Sequence, residues 1–333
     1  MRNILFVGFL LLLAGAVPAQ TGDAVYNFLR YPSSARANAL GGHTVSLVER
    51  DPSLIFHNPA LLGAEMDGMV NLNYMNYISD INVGSVLFTK AVKEKAAWGV
   101  GAAFFSNGSF KGMSADNLPT GDFSAKDISL NGFFSYDLSD KWRGGVALKF
   151  LYSHYDIYSS LGLGVDAGLS YYNSEKEFSF GFAFKNIGAQ LKPYYEERQK
   201  MPWDIQMGIT KRMTHAPIRF SLTAMYLNRW KFDSIDEFDK EAYEEDNFFK
   251  SLVKHFVIGV DYVPSENFWL GVGWNPKTMW DMKLRGGNAL AGFSGGAGVK
   301  IKMFDVGVSV AKYHPSALSL LMSVSVTLAD FKP

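Results

Sequence analysis

The sequence contains no cysteine, has no net charge, and holds no apolar run beyond residue 17 long enough to build a membrane helix. Each absence removes a class of protein. Without cysteine there is no disulfide framework, no thiolate metal site and no lipid-bearing cysteine behind an export signal. Basic and acidic residues balance at 32 each, with no basic tract, so the electrostatic footprint of a nucleic-acid binder is missing. No stretch approaches the roughly twenty consecutive apolar residues that a spanning helix needs.

Catalytic and metal-binding patterns are missing too. The six histidines, His43, His57, His154, His215, His255 and His314, show no metal-ligand spacing with one another. Nucleophile elbow, paired-histidine helix and calcium loop are all absent. The Gly-x-Gly pairs beginning at Gly162 and Gly271 lie inside alternating segments with no helix after them. They read as lumen-side crowding and strand curvature rather than as nucleotide loops. Neither an enzyme, nor a cofactor, nor a metal is expected.

What the chain does have is alternation. Leu161, Leu163, Val165, Ala167, Leu169 and Tyr171 alternate with Gly162, Gly164, Asp166, Gly168, Ser170 and Tyr172. After the turn NSEKE, Phe178, Phe180, Phe182 and Phe184 share one face of the next segment. A period of two is the signature of a strand. Fourteen such segments recur, near 68–77, 82–92, 96–106, 124–136, 142–154, 158–172, 177–186, 203–212, 217–230, 254–263, 267–275, 289–302, 303–313 and 318–329. Their faces opposite the apolar ones carry Asp127, Asn131, Lys149, Asp166, Gln206, Arg219 and Asp305. Charges pointing inward from many strands suit a hydrogen-bonded lumen better than the dry core of a soluble sandwich.

Length and loop parity point the same way. Trp142 and Tyr152 share a face ten residues apart; at about 3.3 Å per residue and a tilt near 40° they span about 25 Å, the height of a lipid-facing band. Short connections near 93–95, 137–141, 173–177, 213–216, 264–266 and 302 alternate with long ones at 107–123, 187–202, 231–253 and 276–288, unevenly around the rim because the outer connections near Asp80 and His314 are short as well. The reading is an all-β outer-membrane β-barrel of about fourteen antiparallel strands, integral in a Gram-negative outer membrane in contact with lipid, its long loops extracellular.

Three regions follow. Residues 1–19 carry Arg2, an apolar run from Ile4 to Val17 and the small residue Ala19, a signal peptide expected to be cleaved after Ala19. Residues 68–333 form the transmembrane barrel. Between them, residues 20–67 form a plug or hatch built of turns. Ser33 or Ser34 can cap the short helix SARANAL, ended by Gly41 and Gly42. A second short element follows Asp51. Asn58 then Pro59 open another helical turn through Ala60.

The stretch YNFLRYPSSARANALGG from Tyr26 to Gly42, Asp51-Pro52 and HNPALL from His57 to Leu62 resemble the start of the PorV and PorQ family of outer-membrane proteins of type IX secretion. The likeness continues in NLNYMNYISDINVGS from Asn71, KNIGAQLKPY from Lys185 and HAPIRFSLT from His215. More distantly, Asn58, Pro59 and Ala60 are similar to the luminal hatch of long-chain fatty-acid transporters. The resemblance implies a non-enzymatic barrel anchoring the cell-surface attachment complex that processes and fixes secreted proteins, with PorZ, PorU and PorV as partners and PorU doing the covalent chemistry. A transporter of hydrophobic small molecules is the alternative; lumen-side Phe133, Leu151, Met225 and Leu227 favour it, and it would need an apolar pocket and a lateral gap in the wall.

The candidate partner surface lies on the long loops. Asp236, Glu237, Phe238, Tyr243, Glu244, Phe248 and Phe249 interleave aromatics among acids, and Tyr194 and Tyr195 stand in the loop before Trp203. Such segments read either as solvated loops or as an interface with a polar rim.

Overall fold

The computed structural model describes residues 24–113, 119–230, 232, 247–282 and 290–328; the expected signal peptide lies outside them. The strands are β1 (Met69–Ile78), β2 (Ile81–Val92), β3 (Ala96–Met113), β4 (Pro119–Asp137), β5 (Trp142–Tyr155), β6 (Tyr158–Asn173) and β7 (Phe178–Lys192). They continue as β8 (Asp204–Arg212), β9 (Ile218–Ala224), β10 (Phe256–Ser265), β11 (Phe268–Trp274), β12 (Phe293–Ile301), β13 (Phe304–His314) and β14 (Ala317–Thr327). Each pairs antiparallel with its neighbours in sequence, and β1 pairs with β14 from Met69 opposite Thr327 to Asn76 opposite Leu320. The sheet therefore closes into a fourteen-stranded barrel. Closure matters in lipid, where an unpaired edge leaves backbone groups without partners.

The two faces of the wall are inverted relative to a water-soluble protein. Along β5, Val146, Leu148, Phe150 and Tyr152 face outward, while Ala147, Lys149, Leu151 and Ser153 face in. Leu148 is 60% exposed and the adjacent Lys149 only 4%. A leucine outside a lysine is stable only where the outer medium is hydrocarbon. Exposed Tyr136, Trp142 and Tyr262 mark one rim of the apolar band and Tyr74 and Tyr152 the other, as interfacial aromatics do. The chain is an outer-membrane β-barrel, and no described helix is long and apolar enough to cross a membrane.

Several boundaries differ from the sequence reading. Most of the stretch 107–123, expected as a long loop, continues the β3–β4 ladder out to Met113 opposite Pro119. β7 runs on to Lys192, whereas its ladder with β8 stops at Lys185 opposite Asp204. β9 ends at Ala224 rather than near residue 230, because Tyr226 takes a left-handed φ of 57° and turns the chain. Two short helices, α2 (Phe248–Lys254) and α3 (Pro276–Asp281), pack together in the connections after β9 and β11.

Residues 24–67 fill the lumen. They fold as 3-10 turns at Asn27–Arg30, Pro52–Phe56, Pro59–Leu61 and Ala64–Met66 and as the helix α1 (Ala35–Ala39). Ser34 caps α1, its hydroxyl accepting from the Ala37 amide, and Gly41 at φ 99° ends it. α1 lies against β11, β12 and β13, while the Pro59–Leu61 turn lies against β4, β5 and β6. The apolar core is the join between this hatch and the wall: Ile55, Leu62 and Met66 pack with Leu87 and Phe133, and Val25, Tyr26 and Phe28 with Phe105, Leu151 and Met201.

Candidate functional site

Among the polar joints that tie the hatch to inward-facing wall residues, three bring together the most groups. In the first, Asn58 accepts the Ala60 amide at 3.0 Å, as the cap of the turn, and donates to the Val45 carbonyl at 2.8 Å and the Leu169 carbonyl at 3.3 Å. Pro59 and Ala60 sit so close to the wall that a Cβ on Gly145 would overlap their backbone. A Cβ on Gly168 would overlap the Asn58 amide oxygen in the same way. The lumen-side crowding expected at Gly162 is the Tyr26 ring, 2.6 Å from where its Cβ would stand.

The second joint is a four-membered ring of charge. Arg36 of α1 lies 3.4 Å from Glu49 and 3.3 Å from Asp261 of β10; Arg219 of β9 contacts the same two carboxylates, Asp261 at 2.5 Å. The Arg36 guanidinium also lies over the Trp269 ring at 5.1 Å. Burial alone would push the Glu49 carboxyl up, but the Arg36 and Arg219 guanidiniums outweigh it and hold it below its ordinary value of 4.5.

In the third, Asp166 of β6 takes Lys149 at 2.7 Å and Lys185 at 3.0 Å, and accepts the Asn186 amide at 2.7 Å. Lys185 in turn donates to the Phe56 carbonyl of the hatch. Beside this joint remains a cavity of about 60 Å³, walled by Arg30, His43, His57, Lys149, Lys185 and Asp204 among others. The His43 and His57 rings stand 6.2 Å apart, edge to face. Burial pushes His43 down to about 4, helped by Lys185 and Arg30, and pushes His57 well below its usual range.

The predicted partner residues scatter. Tyr194 is turned inward, its hydroxyl donating to Ser153 and its ring meeting Tyr155 at 5.4 Å. Tyr195 faces out against Tyr158, and Phe248 and Phe249 stand exposed at the start of α2. Asp236, Glu237, Phe238, Tyr243 and Glu244 lie outside the described residues. Among lumen-side apolar residues, Phe133 is met by Phe56 and Leu151 by the cluster around Tyr26, so the hatch covers both.

Sequence reasoning placed Lys149 and Asp166 on the lumen face but missed the cavity. Arg30, His43 and His57 come from turns whose approach to the wall has no periodic signature, and the two histidines are fourteen positions apart in sequence. No cluster able to hold a metal occurs among the described residues.

A closed barrel with a lipid-facing apolar band and a lumen filled by its own N-terminal segment defines a hatch-bearing outer-membrane barrel. No protein-family model matches this sequence, and no curated protein matches it. Solved structures do. A deletion mutant of the TodX monoaromatic hydrocarbon channel is 12% identical, with a TM-score of 0.58 over 89% of this chain and 99% of that one. The toluene transporter TodX of Pseudomonas putida is 12% identical, with a TM-score of 0.54 over 90% and 98%. A Pseudomonas aeruginosa FadL homologue is 12% identical, with a TM-score of 0.52 over 89% and 98%. At that identity the likeness is one of fold.

Proposed function

We propose that the chain is a non-enzymatic outer-membrane component of the type IX secretion system, the PorQ-type member of the PorV and PorQ family, anchoring the surface complex that processes and attaches secreted proteins. The observation that carries the reading is the covered lumen: the hatch packs over inner apolar residues such as Phe133 and Leu151, and the spaces left between hatch and wall, about 60, 540 and 350 Å³, are each lined by charged side chains, Lys149 and Lys185 in the first, Glu65 and Arg143 in the second, Arg36 and Arg219 in the third. Ligand pockets for apolar molecules run to roughly 300–1,000 Å³ and are mostly apolar. A scaffold needs no such pocket. The family-like segments from Tyr26 to Gly42 and from His57 to Leu62 contribute Ala37, Leu40 and Leu61 to the hatch core, which Leu47 and Leu54 from between them complete. PorZ, then PorU and PorV, are the proposed partners, and exposed Tyr195, Phe248 and Phe249 the proposed contacts.

A second reading, transport of hydrophobic small molecules, is favoured by two observations. The fold is similar to that of the toluene transporter TodX. In addition, β7 continues past its last pair with β8 at Lys185, and the lateral gap that a transporter needs would lie beside that one-sided stretch. Purification in mild detergent separates the two. A stoichiometric surface protein that co-purifies supports the scaffold; a bound lipid-like molecule with no protein partner supports the transporter and sinks the first reading.

A further inference from the structure

The luminal cavity has more cation than acid around it. Counting the charged groups on it and directly behind it, Arg30, Lys149, Lys185, Arg229 and Lys277 make five cations against the three carboxylates Asp166, Asp204 and Asp281, the last paired with Lys277. Asp166 is already shared by the two lysines. Asp204 accepts from the Gln206 side chain and the Tyr226 amide, not from an arginine. The excess is thus two positive charges, and neither Arg30 nor Arg229 donates a hydrogen bond to Asp166 or Asp204. Their guanidiniums stand 5.8 Å and 5.3 Å from the centre of the Tyr226 ring, part of the cavity wall. Both are left with unpartnered buried donors, Nε and Nη2 of Arg30 and Nε and Nη1 of Arg229. His57, only 6% exposed, adds Nε2 without a partner on the same wall.

From this arrangement we infer that the cavity is an anion site, taking one small oxyanion of the carboxylate or phosphate type against Arg30 and His57, with Arg229 supplying charge from behind Tyr226. Water satisfies a buried donor but not a buried charge, and two guanidiniums sharing one aromatic ring in a low-dielectric lumen call for a counter-charge. A planar fork of N–H donors matches a carboxylate or phosphate edge better than it matches a halide. Size agrees: 60 Å³ at about 10–15 Å³ per water-sized position leaves room for a group of four to six such positions. That is a carboxylate head or a free oxyanion, not an acyl tail. The inference does not depend on whether the barrel is a scaffold or a transporter.

The test is thermal unfolding of the purified barrel in detergent, followed by tryptophan fluorescence at constant ionic strength, with chloride exchanged for acetate or inorganic phosphate. A saturable rise in Tm with either oxyanion is expected, its half-saturating concentration shifted about tenfold or more upward in Arg30→Gln and also raised in His57→Gln. No difference between oxyanion and chloride, or the same rise in the unmodified protein and both variants, overturns the site. Decanoate run in parallel identifies the source: half-saturation at far lower concentration than acetate means the group arrives on a lipid-like molecule, and equal concentrations mean a free small anion. Because Arg30→Gln could fail to fold, crystals of the unmodified protein soaked in selenate give an independent reading. An anomalous peak beside Arg30 supports the site, and a cavity holding water alone overturns it.

Discussion

Arg219 and Asp261 stand directly opposite each other in the β9–β10 ladder, Nη2 of one 2.5 Å from Oδ2 of the other, and both also hold the hatch. Asp261 takes Arg36 of α1, and Arg219 takes Glu49. The ring is neutral as a whole, two cations and two carboxylates, so removing one member strands its partners in a buried site. Asp261→Asn is expected to cost about 3–5 kcal/mol, the usual loss when one side of a buried pair is deleted. Chemical unfolding of the refolded barrel reads it. The double variant Asp261→Asn with Arg36→Met should recover part of that loss, since charge and counter-charge then leave together. Equal destabilisation by the single and double variants would show that the ring contributes packing rather than charge.

The same ring sets a pH dependence. Glu49, in the hatch and outside the strands, is held below its ordinary 4.5 by Arg36 and Arg219 despite its burial. A carboxyl depressed in the folded state contributes stability that is fully present above 4.5 and lost as the pH falls through the folded value. Resistance of the hatch to proteolysis should therefore be flat from pH 7 to about 5 and fall below that. Glu49→Gln should be weaker at neutral pH and lose less on acidification, so that the two curves converge. Parallel curves would remove Glu49 from the cause.

Gly168 is where the Asn58 turn backs onto β6. An added Cβ would overlap the Asn58 amide oxygen, whereas one on Gly132 meets nothing within 4 Å. Gly168→Ala should therefore cost about 1–3 kcal/mol by overpacking and expose residues 24–67 to added protease. Gly132→Ala on the outer face should do neither. If the two alanine variants unfold and digest alike, the close approach of Asn58 to β6 plays no part in holding the hatch.

Alternation made most of the strands legible because the two media differ sharply: Val146, Leu148 and Phe150 meet hydrocarbon, and Lys149 meets the lumen. Where the medium stops differing, the signal stops too. From Asn107 to Met113 the sequence NGSFKGM is rich in glycine and polar residues, with no run of alternating apolar side chains, so an extended ladder looked like a loop. Tyr226, Leu227 and Trp230 kept an alternating look while the chain had already turned at Tyr226, whose ring lies under the Arg30 and Arg229 guanidiniums. In the hatch, caps such as Ser34 and Asn58-Pro59 were readable from local chemistry. Which wall each turn meets was not: Arg36 finds Asp261 across 225 positions, a pairing set by barrel closure.

Orientation follows from the loops and is open to direct labelling. The β4–β5 connection around Ser139 is a tight turn, Leu138 and Ser139 both donating to the Trp142 carbonyl. The segment after β7, carrying exposed Tyr195, lies at the opposite end of the barrel. Short turns belong in the periplasm and the longer, aromatic-bearing connections outside. Because the chain has no cysteine of its own, Tyr195→Cys and Ser139→Cys each report a single site. A membrane-impermeant maleimide should label Tyr195→Cys on intact cells and Ser139→Cys only after the outer membrane is opened. The same pair tests the partner surface: if Tyr195 is covered by a surface protein in the native complex, its labelling should be slow in intact cells and rise once the purified barrel is free of partners, while Phe220→Cys, on the lipid face, should stay unreactive toward the water-borne reagent throughout. Labelling of Ser139→Cys on intact cells would invert the topology and remove Tyr195, Phe248 and Phe249 from the outer surface.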